Sequence, residues 1–331
     1  MRRRGSADGG LESTRRSRTF YPVPDPDLQA RMHAVSFEGY YTYLLYQDLD
    51  FVIPYDLDRV DGPSARVVGP DADRARPLIE DAVSDRDGIG SLSDALRHFV
   101  SSTAQYLVLA GPVTYEIAYL RPAGTPPDRP TSFRLELVAP GTLAEHGGRP
   151  IQYVPAAFGG PQDETGLHYV DLDSATLVTF RLDPDLEEPV RKMVTFLRAA
   201  NLQQGAEGGL MEQSITGASP YSFPQHQLKR SELFAKVTQP VGWNVRGLFK
   251  DGHLEAYDVW RQLRFLEFKV RVRDSIMKRL DATIAEVGTR LGFDASIELT
   301  GVPTLSEVES AKEDLRSGRI GLSDLAEFAT R

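Results

Sequence analysis

Apolar side chains recur every three or four positions in several segments of the chain, which is the spacing of an amphipathic helix. This spacing predicts one helix over 91–109, ended by Gly111 and Pro112, and a second over 188–200. A third segment, 254–291, has no proline and a single glycine near its end. If it is unbroken, its 38 residues form a rod of about 57 Å at ~1.5 Å per residue. A helix of this length needs support along its axis, so we expect a partner helix or another subunit beside it.

Between the first two helices the pattern changes to the alternation of β-strands. We predict strands at 113–119, 133–138, 150–154, 167–170 and 176–182. We predict a short strand at 297–299, after the long helix. Ser306 and Glu309 predict a capping box at the start of a further helix, and 323–330 predicts a last short helix. The sequence therefore predicts an α+β fold, in which a β-rich block flanked by helices is followed by a long helix and a C-terminal helical region.

Segments rich in Gly, Pro, Ser, Gln or Arg divide the chain. Within its first half, 20–60 predicts one helix or a strand pair, and 61–87 predicts a loop, with a short helix as the alternative. We predict four parts in all: a flexible basic tail at 1–19, a mixed helix and strand domain at 20–201, a linker or exposed loop at 202–222, and a helical domain at 223–331 that contains the long helix.

Composition excludes several classes of site. The chain has no cysteine, which excludes disulfides and thiolate metal sites and fits a reducing compartment. Its 38 basic and 47 acidic side chains give a net charge of -9, which argues against a protein coated uniformly in nucleic acid. No apolar run approaches the ~20 residues that span a bilayer. The basic start is not followed by an apolar segment, so no signal peptide is predicted.

Catalytic motifs are missing from the sequence. It contains no phosphate-binding loop, no nucleophile elbow and no histidine pair at metal-ligand spacing, so we predict neither enzymatic activity nor a cofactor. Asp171 and Asp173, beside His168, are the one carboxylate pair that we consider as a metal site, because Mg²⁺ favours paired carboxylates. In a strand the same spacing also produces a solvated face. A carboxylate-metal-dependent enzyme therefore stays an alternative.

The segment 254–291 carries a local excess of positive charge within an acidic chain. Its basic side chains outnumber its neighbouring acids, Glu267 and Asp274. Such an excess is either a solvated face paired with acidic neighbours or a contact with a polyanion or with an acidic surface of the next subunit. The basic residues concerned are Arg261, Arg264, Lys269, Arg271, Arg273, Lys278 and Arg279.

The order of these elements resembles that of the portal protein of tailed bacteriophages. Residues 99–119 are similar to the portal sequence of a helix, a glycine and a strand, and 170–182 to the strand before the central helices of portals. The segment 254–291 resembles a long portal helix, and 317–325 resembles the turn and capped helix near portal C-termini. The resemblance covers about two-thirds of the chain.

This resemblance implies a ring, commonly of twelve subunits, at one capsid vertex, with a channel for packaging and ejecting double-stranded DNA. The partners it implies are further copies of the chain, the capsid protein, the terminase motor, tail-connector proteins and transient double-stranded DNA, with no membrane. It implies no catalysis, since ATP hydrolysis belongs to the motor, and a place in the virion after assembly in the bacterial host cytoplasm. An acidic chain suits a channel that DNA must slide through. Another structural or adaptor protein of a phage-like assembly is the alternative.

Overall fold

The computed structural model describes residues 11–20, 26–33, 39–54, 62–84, 91–124, 126, 129–215, 222–247, 255–321 and 323–324. The helices in this part of the chain are α1 (Pro26–His33), α2 (Tyr40–Leu49), α3 (Ala72–Val83), α4 (Leu92–Ala110), α5 (Pro184–Ile215), α6 (Phe223–Thr238), α7 (Glu255–Leu291) and α8 (Leu305–Arg316). The strands are β1 (Leu11–Ser13), β2 (Ser64–Val68), β3 (Val113–Pro122), β4 (Ser132–Leu137), β5 (Leu143–His146), β6 (Arg149–Tyr153), β7 (Tyr169–Asp171), β8 (Leu177–Phe180) and β9 (Ser296–Thr300). The predicted α+β class is confirmed.

Strand β3 is the centre of the largest sheet, and all of its neighbours run antiparallel to it. Strand β4 pairs along one edge, while β1 and β8 pair with the two ends of the other edge. Strands β5, β6 and β7 form a second sheet, and β2 pairs with β9 in a third. Residues 113–120 of β3 are buried on both faces, because helices cover one face and the N-terminal segment reaches the other. The alternation that predicted this strand therefore does not mark a solvated face.

Helix α4 packs its predicted apolar stripe into the main core. Ser91 caps it by accepting a hydrogen bond from the Asp94 backbone N–H at 3.2 Å. The Phe99 ring lies 5.1 Å from that of Tyr115 and 5.9 Å from that of Phe180, which joins the helix to β3 and β8. The main core extends from residues of α2 to residues of β9. The predicted division at 202–222 therefore does not coincide with a gap in the core.

The long helix α7 is unbroken, as predicted, and spans about 56 Å at ~1.5 Å per residue. One apolar stripe, which includes Phe268, Ile276 and Ile284, faces the main core. A second stripe near its start packs on Val308 and Ala311 of α8. Its partner helices, α4 and α8, belong to the same chain, so the helix does not need another subunit to cover its apolar residues.

Two predicted irregular segments are regular in the structure. Helix α5 continues to Ile215 through most of the predicted linker, in contact with α2 and α6, and the rest of the linker to residue 221 lies outside the described residues. The predicted loop at 61–87 contains β2 and α3. Strand β2 was not predicted because it depends on pairing with β9, whose residues lie more than two hundred positions away in the sequence.

The start of α8 lies two residues before the predicted one. The Thr304 hydroxyl accepts from the Glu307 N–H at 3.2 Å, and the Glu307 carboxylate accepts from the Thr304 N–H at 2.7 Å. The capping box is therefore formed by this pair and not by Ser306 and Glu309, because the earlier start places Val308 in the core beside α7. The predicted helix at 323–330 falls outside the described residues beyond residue 324.

The N-terminal segment is docked on the sheet from residue 11 onward, so the predicted flexible tail is wrong for 11–19. The N–H of Thr14 donates to the Tyr119 carbonyl at 3.0 Å, and the N–H of Arg18 donates to the Gln152 side chain at 2.7 Å. Backbone hydrogen bonds to buried side chains hold this segment, and no sequence periodicity signals them. Residues 1–10 lie outside the described part of the chain.

Candidate functional site

The first two basic residues of α7 hold the turn that follows α6. The Arg261 side chain is only 4% exposed and donates to the Thr238 hydroxyl and to the Trp243 carbonyl. Burial lowers its pKa. Arg264 donates to the Pro240 carbonyl at 3.2 Å. Both guanidinium groups therefore make internal contacts, and that of the buried Arg261 is not presented to a polyanion.

Three more basic residues in the middle of α7 also contact the chain itself. Arg271 bonds Asp185 at 2.6 Å and Asp183 at 3.1 Å, and these hydrogen bonds, that of Asp185 first, raise its pKa. Arg273 is 3% exposed and donates to Asp274 and to the carbonyl of residue 303, each at 2.8 Å. Lys269 lies with its Nζ 5.5 Å from the centre of the Phe265 ring, and burial lowers its pKa.

Lys278 and Arg279 differ from the other five. Lys278 is exposed and Arg279 half-buried on α7, and neither forms an ion pair with any described residue. The predicted basic surface thus consists of these two residues and the half-buried Arg264, which has no ion pair among the described residues either. Of the two readings of the positive excess, pairing with acidic neighbours applies to Arg271 and Arg273.

The strained turn at 241–247, which follows α6, is bound to α2 by two side-chain contacts. Asp48 of α2 accepts from the Trp243 indole N–H at 2.8 Å and from Arg246 at 2.7 Å. Val245 and Arg246 both have φ of 52°, a conformation that is costly for a β-branched residue. Gly242, at φ of 77°, lies so close to α7 that a Cβ would fall 2.5 Å from its backbone. The buried tryptophan and the aspartate fix this turn, which no motif predicted.

The two carboxylates considered as a metal site, those of Asp171 and Asp173, have different surroundings. Asp171 is exposed at the end of β7, while the Asp173 side chain accepts from the Ala175 N–H at 3.1 Å and caps a short 3₁₀ turn. His168 contacts the Gln162 side chain at 2.9 Å. In the described part of the chain, no group of three or more His, Cys, Asp or Glu side chains is arranged to hold a metal ion.

Exposed apolar side chains concentrate on one group of helices. Helices α2, α5 and α6 pack through the Phe234 ring, whose centre lies 4.7 Å from that of Tyr41 and 4.9 Å from that of Phe196. Within the described residues, six of the nine large apolar side chains that are exposed lie on these helices or directly after α2. We call them the apolar surface; they are Tyr40, Tyr43, Phe51, Leu202, Leu228 and Leu233. Leu202 is 87% exposed and Tyr43 51% exposed.

The apolar surface was not predicted, although the spacing of its residues in and directly after α2 is visible in the sequence. Tyr40, Tyr43 and Phe51 recur at helical spacing with Gln47 between them, which predicts one face of a helix. This face points to water in the single chain, while Leu44, Leu45 and Leu49 face the core. The side chains of Tyr40, Tyr43 and Phe51 are each about half exposed in the single chain, and a protein contact at this face would cover them.

Within the described residues, no helix combines the length and the apolar composition needed to cross a bilayer. Comparisons of this chain with protein-family models, with curated proteins and with solved structures found no match.

Proposed function

We propose that this chain is a structural subunit of a phage portal-like ring at a capsid vertex, with a channel for packaging and ejecting double-stranded DNA. The apolar surface on α2, α5 and α6 carries the proposal, because a single copy leaves six large apolar side chains in water. Contact between this surface and a different face of the next copy is heterologous, and heterologous contacts with the right rotation close into rings.

The order of elements supports the same proposal. A helix, a glycine and a strand, here α4, Gly111 and β3, are followed by the β-rich block and then by the long α7 and the short α8. This is the order on which the resemblance to portal proteins rests. The helix α7 is fully supported within the chain and can act as a rigid element of a ring wall.

The proposed partners follow from the proposed place in the particle. Further copies form the ring, capsid protein surrounds it, the terminase motor and tail-connector proteins dock on its two ends, and double-stranded DNA passes through. The location is the virion, after assembly in the host cytoplasm. Lys278 and Arg279, which have no ion pair among the described residues, contact either the DNA or an acidic surface of the next copy.

Negative-stain images and light scattering of the purified full-length protein test the proposal. We expect ring-shaped particles with a central channel and a mass many times that of one chain. Leu202→Glu places a charge in the apolar surface at an exposed position and is expected to abolish rings while leaving the helical circular dichroism unchanged. Leu143→Glu, at an exposed position of β5 outside the apolar surface, is the matched control and should assemble normally.

Three results would contradict the proposal. Monomers at all protein concentrations, including after addition of a capsid scaffold, would exclude a ring subunit. Particles with no channel would instead favour another structural or adaptor protein of a phage-like assembly. Stoichiometric Mg²⁺ binding lost in Asp171→Asn would favour the enzyme alternative.

A further inference from the structure

Residues 11–18, which we call the arm, lie along the sheet, and 11–13 form strand β1. The N–H groups of Arg16 and Ser17 both donate to the Glu116 carboxylate, at 2.9 and 2.6 Å. The Gln152 side chain accepts from the Arg18 N–H at 2.7 Å and donates to the Arg18 carbonyl at 2.9 Å. Strand β1, at the start of the arm, pairs with the end of β3. The arm is thus held mainly through its backbone.

The surface that receives the arm is a built site. Glu116 is 1% exposed and Gln152 is not exposed at all, so both are buried polar groups that require hydrogen-bond partners. The hydrogen bonds that they make through their side chains go to the backbone of the arm. The site therefore binds a peptide backbone at this position, and the edge of β3 pairs with residues 11–13 of this peptide as a further strand.

Ion pairs at the site select a peptide of the charge pattern that the arm has. Arg121 of β3 bonds Glu12 at 2.8 Å, and Glu136 of β4 lies 3.0 Å from Arg15. Of the arm's side chains only Ser17 is buried. Recognition thus combines backbone hydrogen bonds with an acidic position followed by basic ones.

The N-terminal segment is also separable from the main core. Leu28 of α1 packs with Ile151, Tyr153 and Leu167 in a small cluster that is distinct from the core formed by the other helices. The contacts that attach the arm and α1 in the described part of the chain include these apolar contacts, the pairing of β1, the hydrogen bonds of the arm and the ion pairs of Glu12 and Arg15. A unit of this kind can move to a second copy and make identical contacts there, which is the low-cost route to domain swapping.

We infer that in the assembled ring each receiving site binds the arm of a neighbouring copy. This inference rests on the proposed function, because a ring holds a second arm beside each site at high effective concentration. The occupant is a second copy of this chain, and its arm replaces the internal one contact for contact. Exchange would link each subunit to the next through buried hydrogen bonds, in addition to the apolar surface.

Disulfide trapping tests the exchange directly, because the chain has no cysteine of its own. Glu12 and Arg121 are opposite each other in the pairing of β1 with β3, a separation that suits a disulfide. In the full chain carrying Glu12→Cys and Arg121→Cys, oxidation joins an arm to whichever copy holds it. We expect rings of this variant to run as covalent dimers and longer ladders on non-reducing gels, and as monomers after reduction.

A mixture of singly substituted chains provides the second measurement. Rings assembled from affinity-tagged Glu12→Cys chains and untagged Arg121→Cys chains should yield mixed covalent dimers, since this bond can form only between copies. Rings of Glu12→Cys chains alone are the matched control and should yield few dimers.

The outcomes separate this inference from the proposed function. Rings whose doubly substituted chains form the bond only within monomers overturn the exchange and leave the ring in place, as do rings in which no bond forms. Monomeric protein with an internal bond overturns both. Ladders together with mixed dimers establish the exchange.

Discussion

Glu116→Gln is the sharpest test of how the arm is held. The substitution keeps the size of the side chain and one acceptor oxygen, but removes the charge and places an NH₂ group where the second oxygen was. When the amide oxygen takes the position of Oε2, both N–H groups keep an acceptor, but the NH₂ group then faces the N–H of Arg16, which loses its 2.9 Å hydrogen bond to Oε1. A hydrogen bond to a charged group contributes ~1.5–3 kcal/mol. We expect the docking of the arm to weaken by about 2 kcal/mol, which is roughly a thirtyfold larger opening equilibrium.

Native-state hydrogen exchange followed by mass spectrometry measures this effect. Amides of residues 14–18 should exchange about thirtyfold faster in the variant, while those of α4 should not change, because the arm opens without unfolding the core. Glu136→Gln is the control, since it removes only the half-buried ion pair with Arg15, worth ~1 kcal/mol or less. If the arm of Glu116→Gln exchanged no faster than that of Glu136→Gln, the buried carboxylate would not be what holds the arm.

Three further predictions concern single positions. Gly242→Ala places a Cβ 2.5 Å from the α7 backbone at a residue with positive φ. Thermal denaturation should therefore show that the free energy of unfolding falls by about 2–4 kcal/mol. Thr304→Ala should cost ~1 kcal/mol in chemical denaturation and Ser306→Ala close to nothing, because the former residue caps α8. Hydrogen bonds to Asp163, that of the Thr165 hydroxyl first, lower its pKa to about 2 from 3.8. The stabilisation of its loop is therefore complete above the ordinary value and lost as the pH falls towards 2, which an NMR titration of the carboxyl would show.

The elements that could be predicted from the sequence are those whose signal is local. Helices α4 and α7 and strand β3 each have a periodic apolar pattern within their own residues. Strand β2 has no such pattern and exists because it pairs with β9. Helix α5 continues through glycines that weaken helix propensity, so the continuation to Ile215 is not signalled by local preference.

The positive charge of α7 does not form one basic surface, because some of its arginines are buried. Arg261 is in phase with Phe268 and with the residues that face the main core, and Arg273 follows Leu266 and Val270 at helical spacing. Their positions within apolar stripes indicated burial, and both are buried. Sequence spacing could not show which carbonyls and carboxylates would receive them, because those groups come from other elements.

The apolar surface, and not the long helix α7, is the part of the molecule on which the proposed ring depends. The sequence suggested that α7 needs a neighbour, but α4 and α8 of the same chain cover it. What a single copy leaves uncovered is the apolar surface on α2, α5 and α6, on the helices that carry Tyr43 and Leu202. Substitutions at exposed positions of α7 other than Lys278 and Arg279 should therefore leave assembly unchanged, and substitutions such as Leu202→Glu should prevent it. The opposite result would return the subunit contact to the long helix and remove the apolar surface as the basis of the proposed ring.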